Sequence, residues 1–164
     1  MVALSAAPQE TAAIAAAIAA ELAPGDVLVL GGDLGAGKTT FTKALGKALG
    51  IDEHITSPTF TLAQQYDGGR LTLHHLDVYR LDSIDEVIDL ALPELYESGG
   101  VVVIEWGDTI APALPAGYAL VRFGFGEGDD DRQISVTAIG PGWTARVPAL
   151  KAALESQHVD RQDT

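Results

Sequence analysis

The chain contains no cysteine, which excludes disulfide bonds, thiolate nucleophiles and cysteine-ligated zinc while saying little about compartment. Basic residues are scarce: 10 Lys and Arg stand against 23 Asp and Glu, a formal charge of −13. They are scattered singly. The chain therefore lacks the clustered cations through which a broad nucleic-acid surface releases counterions. An acidic surface of this kind is suited to docking on a basic protein partner. Long hydrophobic runs are missing too. Ala12–Ala20 is wholly apolar, but no basic residue precedes it and Gln9, Glu10 and Glu21 flank it. It is also shorter than the ~20 residues a bilayer span needs, and so is neither a membrane segment nor a signal peptide. The expectation is a cytoplasmic protein with no membrane association.

What is present suits one globular domain over residues 1–164, since 164 residues with 47% apolar content can bury a core of ordinary size. Ile14, Ile18 and Leu22 recur at helical spacing after Pro8, and Pro24-Gly25 ends that helix. Val27–Leu30 and Val101–Ile104 are short, continuously apolar runs, the pattern of strands buried on both faces. A helix follows Gly37 and runs to Leu49, with Gly50 as its cap. Thr56–Tyr66 reads as a loop entering a strand, and Leu71–Asp77 is its partner across the Asp67-Gly68-Gly69 turn. Ser83-Ile84-Asp85-Glu86 has capping-box spacing and starts a helix to about Leu92. Tyr118–Phe125 and Arg132–Ala138 form a hairpin around Gly126–Asp131, and residues 156–164 are a polar, frayed tail. This alternation predicts an α/β layer fold whose sheet is mixed.

Gly32-Asp33-Leu34-Gly35-Ala36-Gly37-Lys38-Thr39 fits G-x-x-x-x-G-K-[ST] at every fixed position. Glycines let the backbone approach a polyphosphate without Cβ clashes, and the following helix presents unpaired N–H groups and the positive end of its dipole. In this motif Lys38 reaches the β- and γ-phosphates and the Thr39 hydroxyl ligates Mg²⁺. A glycine-rich turn matching by chance would lack the strand before and the helix after.

Such a loop needs carboxylates for the metal and its waters. Asp77 and Glu105 each end an apolar strand, where a carboxylate is costly unless it faces a cleft. A strand-end aspartate also commonly caps a turn, and both readings stand at Asp77. Thr56–Thr61 sets four hydroxyls around Pro58; it is either an ordinary Ser/Thr-Pro turn or a loop that orders around a γ-phosphate. His74 and His75 are adjacent on a strand, point to opposite faces and cannot share one ion. Trp106 and Trp143 are packing residues, with Trp106 close enough to Glu105 to touch the site.

With these residues in view, the chain resembles the TsaE family, the small bacterial ATPase of the tRNA threonylcarbamoyladenosine pathway. GDLGAGKTTF (Gly32–Phe41), SPTFTL (Ser57–Leu62), HLDVYRL (His75–Leu81) and IEW (Ile104–Trp106) match its four motifs in order and spacing. The resemblance implies a P-loop NTPase-like three-layer fold with a parallel core flanked by antiparallel strands. It implies hydrolysis of Mg-ATP in support of the complex with TsaB and TsaD homologues, with tRNA met only indirectly through that complex. It places Mg²⁺ on Thr39 and Glu105, and Asp77 at the γ-phosphate or its attacking water. It also puts Thr59 in a switch-like loop, Thr40 at an α-phosphate, and Thr11 and Arg132 in contact with nucleotide. The rival readings are a P-loop metabolite kinase, which would need an Arg-rich lid that the dispersed Arg70, Arg80, Arg122 and Arg132 do not supply, and a nucleotide-dependent binding module that needs no hydrolysis. The stretch after Ala138 follows no motif of the family.

Overall fold

A computed structural model describes residues 1–81 and 84–159. Its seven strands are β1 (Val2–Ser5), β2 (Val27–Gly32), β3 (Ala63–Tyr66), β4 (Leu73–Asp77), β5 (Val101–Glu105), β6 (Tyr118–Phe125) and β7 (Arg132–Ile139). They form one sheet in the order β1-β7-β6-β2-β5-β4-β3. The central four, β6, β2, β5 and β4, are parallel. Antiparallel β7 and β1 flank one side and antiparallel β3 the other. The mixed sheet with a parallel core is the architecture expected.

The apolar runs of β2 and β5 are buried on both faces because alternate residues enter different cores. Leu28, Leu30, Val101 and Val103 face the larger core, formed with α1 (Pro8–Ala20), α2 (Lys38–Ala48) and α5 (Pro141–Val159). Val27, Val29, Val102 and Ile104 face a smaller one, covered by α3 (Ile84–Ile88), α4 (Leu92–Glu97) and the 3₁₀ segment Gly107–Ala113. The result is three layers, helix on sheet on helix. In a parallel sheet of this kind the carboxyl ends of the central strands line up at one edge. Here that edge carries Gly32, Asp77 and Glu105.

Several boundaries differ from the sequence reading. The helix expected from the Ser83 capping box to Leu92 is two short helices, with Ala91 between them at φ +49°. Pro93 explains the break, because with no N–H to bond the Asp89 carbonyl it is tolerated only in a helix's first turn, where it sits in α4; the proposed cap Ser83 lies outside the described residues. The strand expected from Leu71 begins at Leu73. Edge strand β1 was not anticipated, being only four residues long, with Ala3 and Ser5 buried and Val2 and Leu4 exposed. Fraying was expected from Ser156, yet α5 continues to Val159, and residues 160–164 lie outside the description. Trp143 packs in the core, as read, on this unanticipated final helix. No helix among the described residues is long and apolar enough to cross a membrane.

Candidate nucleotide-phosphate site

The loop between β2 and α2 is built from its glycines outward. Gly32 sits at φ +132°, and a Cβ there would meet the Phe123 carbonyl oxygen at 2.5 Å, so both conformation and space exclude a side chain. Gly35 and Gly37 also have positive φ, but a Cβ on either would meet nothing within 4 Å. The backbone there borders open space, as a surface that receives a ligand must. Gly37 precedes α2, whose first turn has no side-chain cap, so its N–H groups are left for a ligand or water.

Lys38 is buried, and its Nζ donates to the carbonyl oxygens of Gly32 (2.7 Å) and Asp33 (2.8 Å). The ammonium also lies 3.8 Å from the centroid of the Trp106 ring. Burial pushes its pKa down, and the carboxylates of Glu105, Asp77, Asp108 and Asp33 pull it back up in part. Lys38 is thus a largely buried cation at the base of the loop.

The two strand-end carboxylates lie side by side, Asp77 of β4 in register with Glu105 of β5. Both are buried. Thr39 Oγ1 donates to Glu105 Oε2 at 3.1 Å, so the hydroxyl and the carboxylate expected to share a metal are already in contact. Hydroxyl and carboxylate oxygens are the hard donors Mg²⁺ prefers, and Mg²⁺ characteristically takes few protein ligands and completes its shell from phosphate and water. Among the described residues no group of three or more His, Cys, Asp or Glu is placed to hold a metal ion.

Asp77 accepts from Thr59 Oγ1 at 2.8 Å and from the Tyr79 backbone N–H at 3.0 Å. Thr59 in turn bonds Ser57 at 2.6 Å. The hydroxyl loop is therefore tied to the carboxylate across the cleft mouth. Both readings of Asp77 hold together: it caps the chain at Tyr79 and faces the site. A cleft of about 210 Å³ is lined by Gly35, Gly37, Lys38, Thr39, Thr40, Ser57, Thr59, Asp77, Glu105 and Trp106, with Leu34 exposed at its rim. A smaller adjoining hollow of about 100 Å³ shares Gly35, Gly37 and Thr40 and adds Pro8, Thr11, Ala36, Asp130 and Arg132.

The fold thus gathers the candidate residues around one loop, in two subsites. Gly32 and Asp33 serve through their carbonyls toward Lys38 rather than lining the cleft with side chains. Thr11 is hydrogen-bonded to Ser5 (2.8 Å), and Arg132 Nε donates to the Ala36 carbonyl (3.1 Å), buttressing the loop from outside. The histidines point apart as read: His74 Nε2 meets Ser98 Oγ at 3.0 Å, and His75 Nε2 meets Glu105 Oε1 at 2.8 Å.

Two residues play larger parts than the sequence reading assigned. Trp106 has φ +62°, a sparsely populated conformation for a bulky residue of the kind that clusters at functional sites, and its ring packs against that of Tyr79, tilted by 44° with centroids 4.8 Å apart. His75 touches a site carboxylate. Half of its signal lies in the sequence, since His75 and Asp77 are two apart on a strand and share a face; the other half, the pairing of that strand with β5, does not.

A sequence model of the family described as "Threonylcarbamoyl adenosine biosynthesis protein TsaE" matches residues 5–134. The chain belongs to the TsaE family. A relative from Bacillus subtilis, the tRNA threonylcarbamoyladenosine biosynthesis protein TsaE, is 48% identical over 133 residues, 81% of this chain and 82% of that protein. The TsaE protein of Treponema pallidum is 50% identical over 107 residues, 65% of this chain and 78% of its own. Among solved structures, Bacillus subtilis YdiB superposes with a TM-score of 0.79 at 38% identity, covering 93% of this chain and 94% of that one. The TsaE match ends at residue 134, so the end of β7 and all of α5 lie beyond it.

Proposed function

We propose that this TsaE-family chain binds and hydrolyses Mg-ATP, and that hydrolysis supports the complex, with TsaB and TsaD homologues, that forms threonylcarbamoyladenosine on tRNA. One observation carries the reading. A complete phosphate loop opens onto a cleft in which a metal-type pair, Thr39 and Glu105, stands beside a carboxylate tied to a hydroxyl loop, Asp77 and Thr59.

In this reading the N–H groups of the loop and of the first turn of α2 take the phosphates. Lys38 exchanges its carbonyl partners for phosphate oxygens and neutralises charge on the terminal phosphate. Thr39 and Glu105 hold Mg²⁺, which supplies Lewis-acid charge to the phosphates. Asp77 accepts a hydrogen bond from the attacking water and aligns its oxygen with the terminal phosphorus. Thr59 reports the state of that group to the Ser57–Leu62 loop. Around the adjoining hollow, Thr40 takes the α-phosphate in this reading, and Thr11 and Arg132 contact the nucleotide.

Lys38 is the only cation on the walls of the main cleft among the described residues. Arg70 is bonded to the Ala19 and Leu22 carbonyls, Arg122 pairs with Asp108, and Arg80 lies over Phe60. An arginine finger contributes a factor of ~10³–10⁵ to phosphoryl transfer, so the isolated chain is a slow enzyme that its partners accelerate. The same dispersal argues against a kinase with an arginine-rich lid. The charge of −13 makes the docking electrostatic. Steady-state phosphate release across a titration of TsaB and TsaD, at two ionic strengths, tests this. The expected result is slow turnover alone, a rise with partners and weaker stimulation at high salt. Fast turnover by the lone chain, unchanged on adding partners, would refute it.

A further inference from the structure

His75 is a fully buried imidazole whose only polar contact among the described residues is its Nε2 to Glu105 Oε1, at 2.8 Å; its Nδ1 is buried with no partner. A ring placed for packing alone would be better replaced by an apolar side chain, since an unpaired buried polar atom opposes folding. The arrangement makes sense if the Nε2 contact is what the residue is for. A carboxylate only accepts, so Nε2 carries the hydrogen and donates, and Nδ1 is left as a bare acceptor, the less costly orphan of the two.

The two oxygens of Glu105 are thereby divided. Oε1 is held from within the sheet by His75, and Oε2 is turned to Thr39 at the cleft. Without the imidazole, Oε1 of a buried carboxylate would have no donor among the described residues, which favours a side chain turned toward solvent. The strand register supports the division: His75 lies two residues before Asp77, which is in register with Glu105. One strand thus supplies both the carboxylate beside Glu105 and the donor beneath it.

We propose that His75 is a positioning residue for the metal site, holding Glu105 Oε1 so that Oε2 and Thr39 Oγ1 together present a preset donor pair to Mg²⁺. This inference rests on the Mg-ATP reading of the cleft. Partners that orient a metal ligand typically tune metal affinity 10–100-fold.

The test compares three variants by calorimetric ATP binding at graded Mg²⁺ and by Mn²⁺ binding to the protein–nucleotide complex, followed by electron paramagnetic resonance. H75L keeps bulk and removes the donor. H75Q returns an amide N–H near the position of Nε2, and H75N presents its amide about one bond short of it. The expected result is a Mg²⁺ requirement raised about tenfold or more in H75L and H75N and largely restored in H75Q, with metal-free nucleotide affinity unchanged in all three. If H75L does not fold, the H75Q–H75N comparison decides. Equal metal requirements in H75Q and H75N, or a folded H75L that binds metal like wild type, overturn the inference. A wild-type protein whose nucleotide binding ignores Mg²⁺ overturns the metal site itself, and the role of His75 with it.

Discussion

Arg146 closes the fold at the end remote from the phosphate loop, and its removal should separate stability from function. Its guanidinium donates two bonds to Asp26, at 2.6 and 2.7 Å, and a third to the Glu21 carbonyl at 3.0 Å. It also lies 4.1 Å from the Trp143 ring centroid. Asp26, itself buried, additionally accepts from the Ala23 N–H at 2.7 Å. The fork therefore ties α5 to the end of α1 and the start of β2, and the carboxylate raises the guanidinium pKa further, against a smaller opposing effect of burial. Breaking a buried pair by deleting one partner costs about 3–5 kcal/mol, because the other charge is left uncompensated. Asp26 keeps one backbone donor and the pair retains some solvent access, which brings the expectation for Arg146→Ala to roughly 2–4 kcal/mol. In a domain of this size each kcal/mol shifts Tm by about 2–4 °C, giving a fall of roughly 4–16 °C. Asp26→Asn with Arg146→Met should recover part of that loss, since no buried charge then lacks its partner. Differential scanning calorimetry measures the shift, and ATP titration at 15 °C measures function. The reasoning fails if Arg146→Ala melts with wild type. It also fails if the variant, folded at 15 °C, has lost nucleotide affinity, because α5 would then reach the phosphate site.

At the cleft, Asp77→Asn keeps one acceptor oxygen, for the Tyr79 N–H, and turns its NH2 toward the Thr59 hydroxyl, which can accept; it should leave ATP affinity intact while slowing partner-stimulated phosphate release about 10²-fold or more. Glu105→Gln should instead raise the Mg²⁺ requirement; equal kinetics in both variants would dissolve the division of labour. Tyr96 has a buried hydroxyl with no hydrogen-bond partner among the described residues, and burial raises its pKa to about 12. Tyr96→Phe should therefore stabilise by about 1 kcal/mol or more, read as a rise in Tm, and a lower Tm would count against the assignment. Burial lowers the pKa of His74, with Asp67 opposing weakly. The unfolded chain then binds more protons than the folded one from about pH 6.5 down to that lowered value. The contribution of His74 to stability is complete above pH 6.5 and is lost as pH falls through this window. Urea melts of wild type and His74→Gln between pH 7.5 and 5 should show the steeper decline in wild type, and parallel curves would contradict it.

The central strands were legible because each fold-level cause left a mark in the chain. A strand covered on both faces must be apolar throughout, and Val27–Leu30 and Val101–Ile104 are. The elements that escaped notice lack such a mark. Helix α5 carries Pro148 in its interior and shows no clear apolar stripe, yet it buries Trp143, Leu150 and Leu154 against a surface that only the assembled sheet and α1 create. The break before Pro93 is readable in principle, but the capping-box spacing at Ser83 marks only where a helix starts, in a segment where two short helices and one longer one have similar composition.

The site divides along the same line. Residues that must touch a ligand are constrained by the ligand's chemistry, which is why glycine, lysine and threonine at fixed spacing announce the loop from Gly32 to Thr39. Residues that act on those residues are constrained only by the local fold. His75 meets Glu105 because β4 and β5 are adjacent and parallel in one particular register, and a histidine pair in a linear sequence carries no trace of that adjacency. Trp106 is the intermediate case. Its position after Glu105 suggested proximity, but the ring reaches Lys38 because Trp106 itself adopts φ +62°, a conformation that composition does not encode. The strain implied by that angle is held in place by contacts on both sides, Tyr79 on one and the Lys38 ammonium on the other. On the proposed reading Lys38 would leave its carbonyls for phosphate, and one of those two contacts would then change. On that reading, occupancy of the loop would bear on Tyr79 through the Trp106 ring.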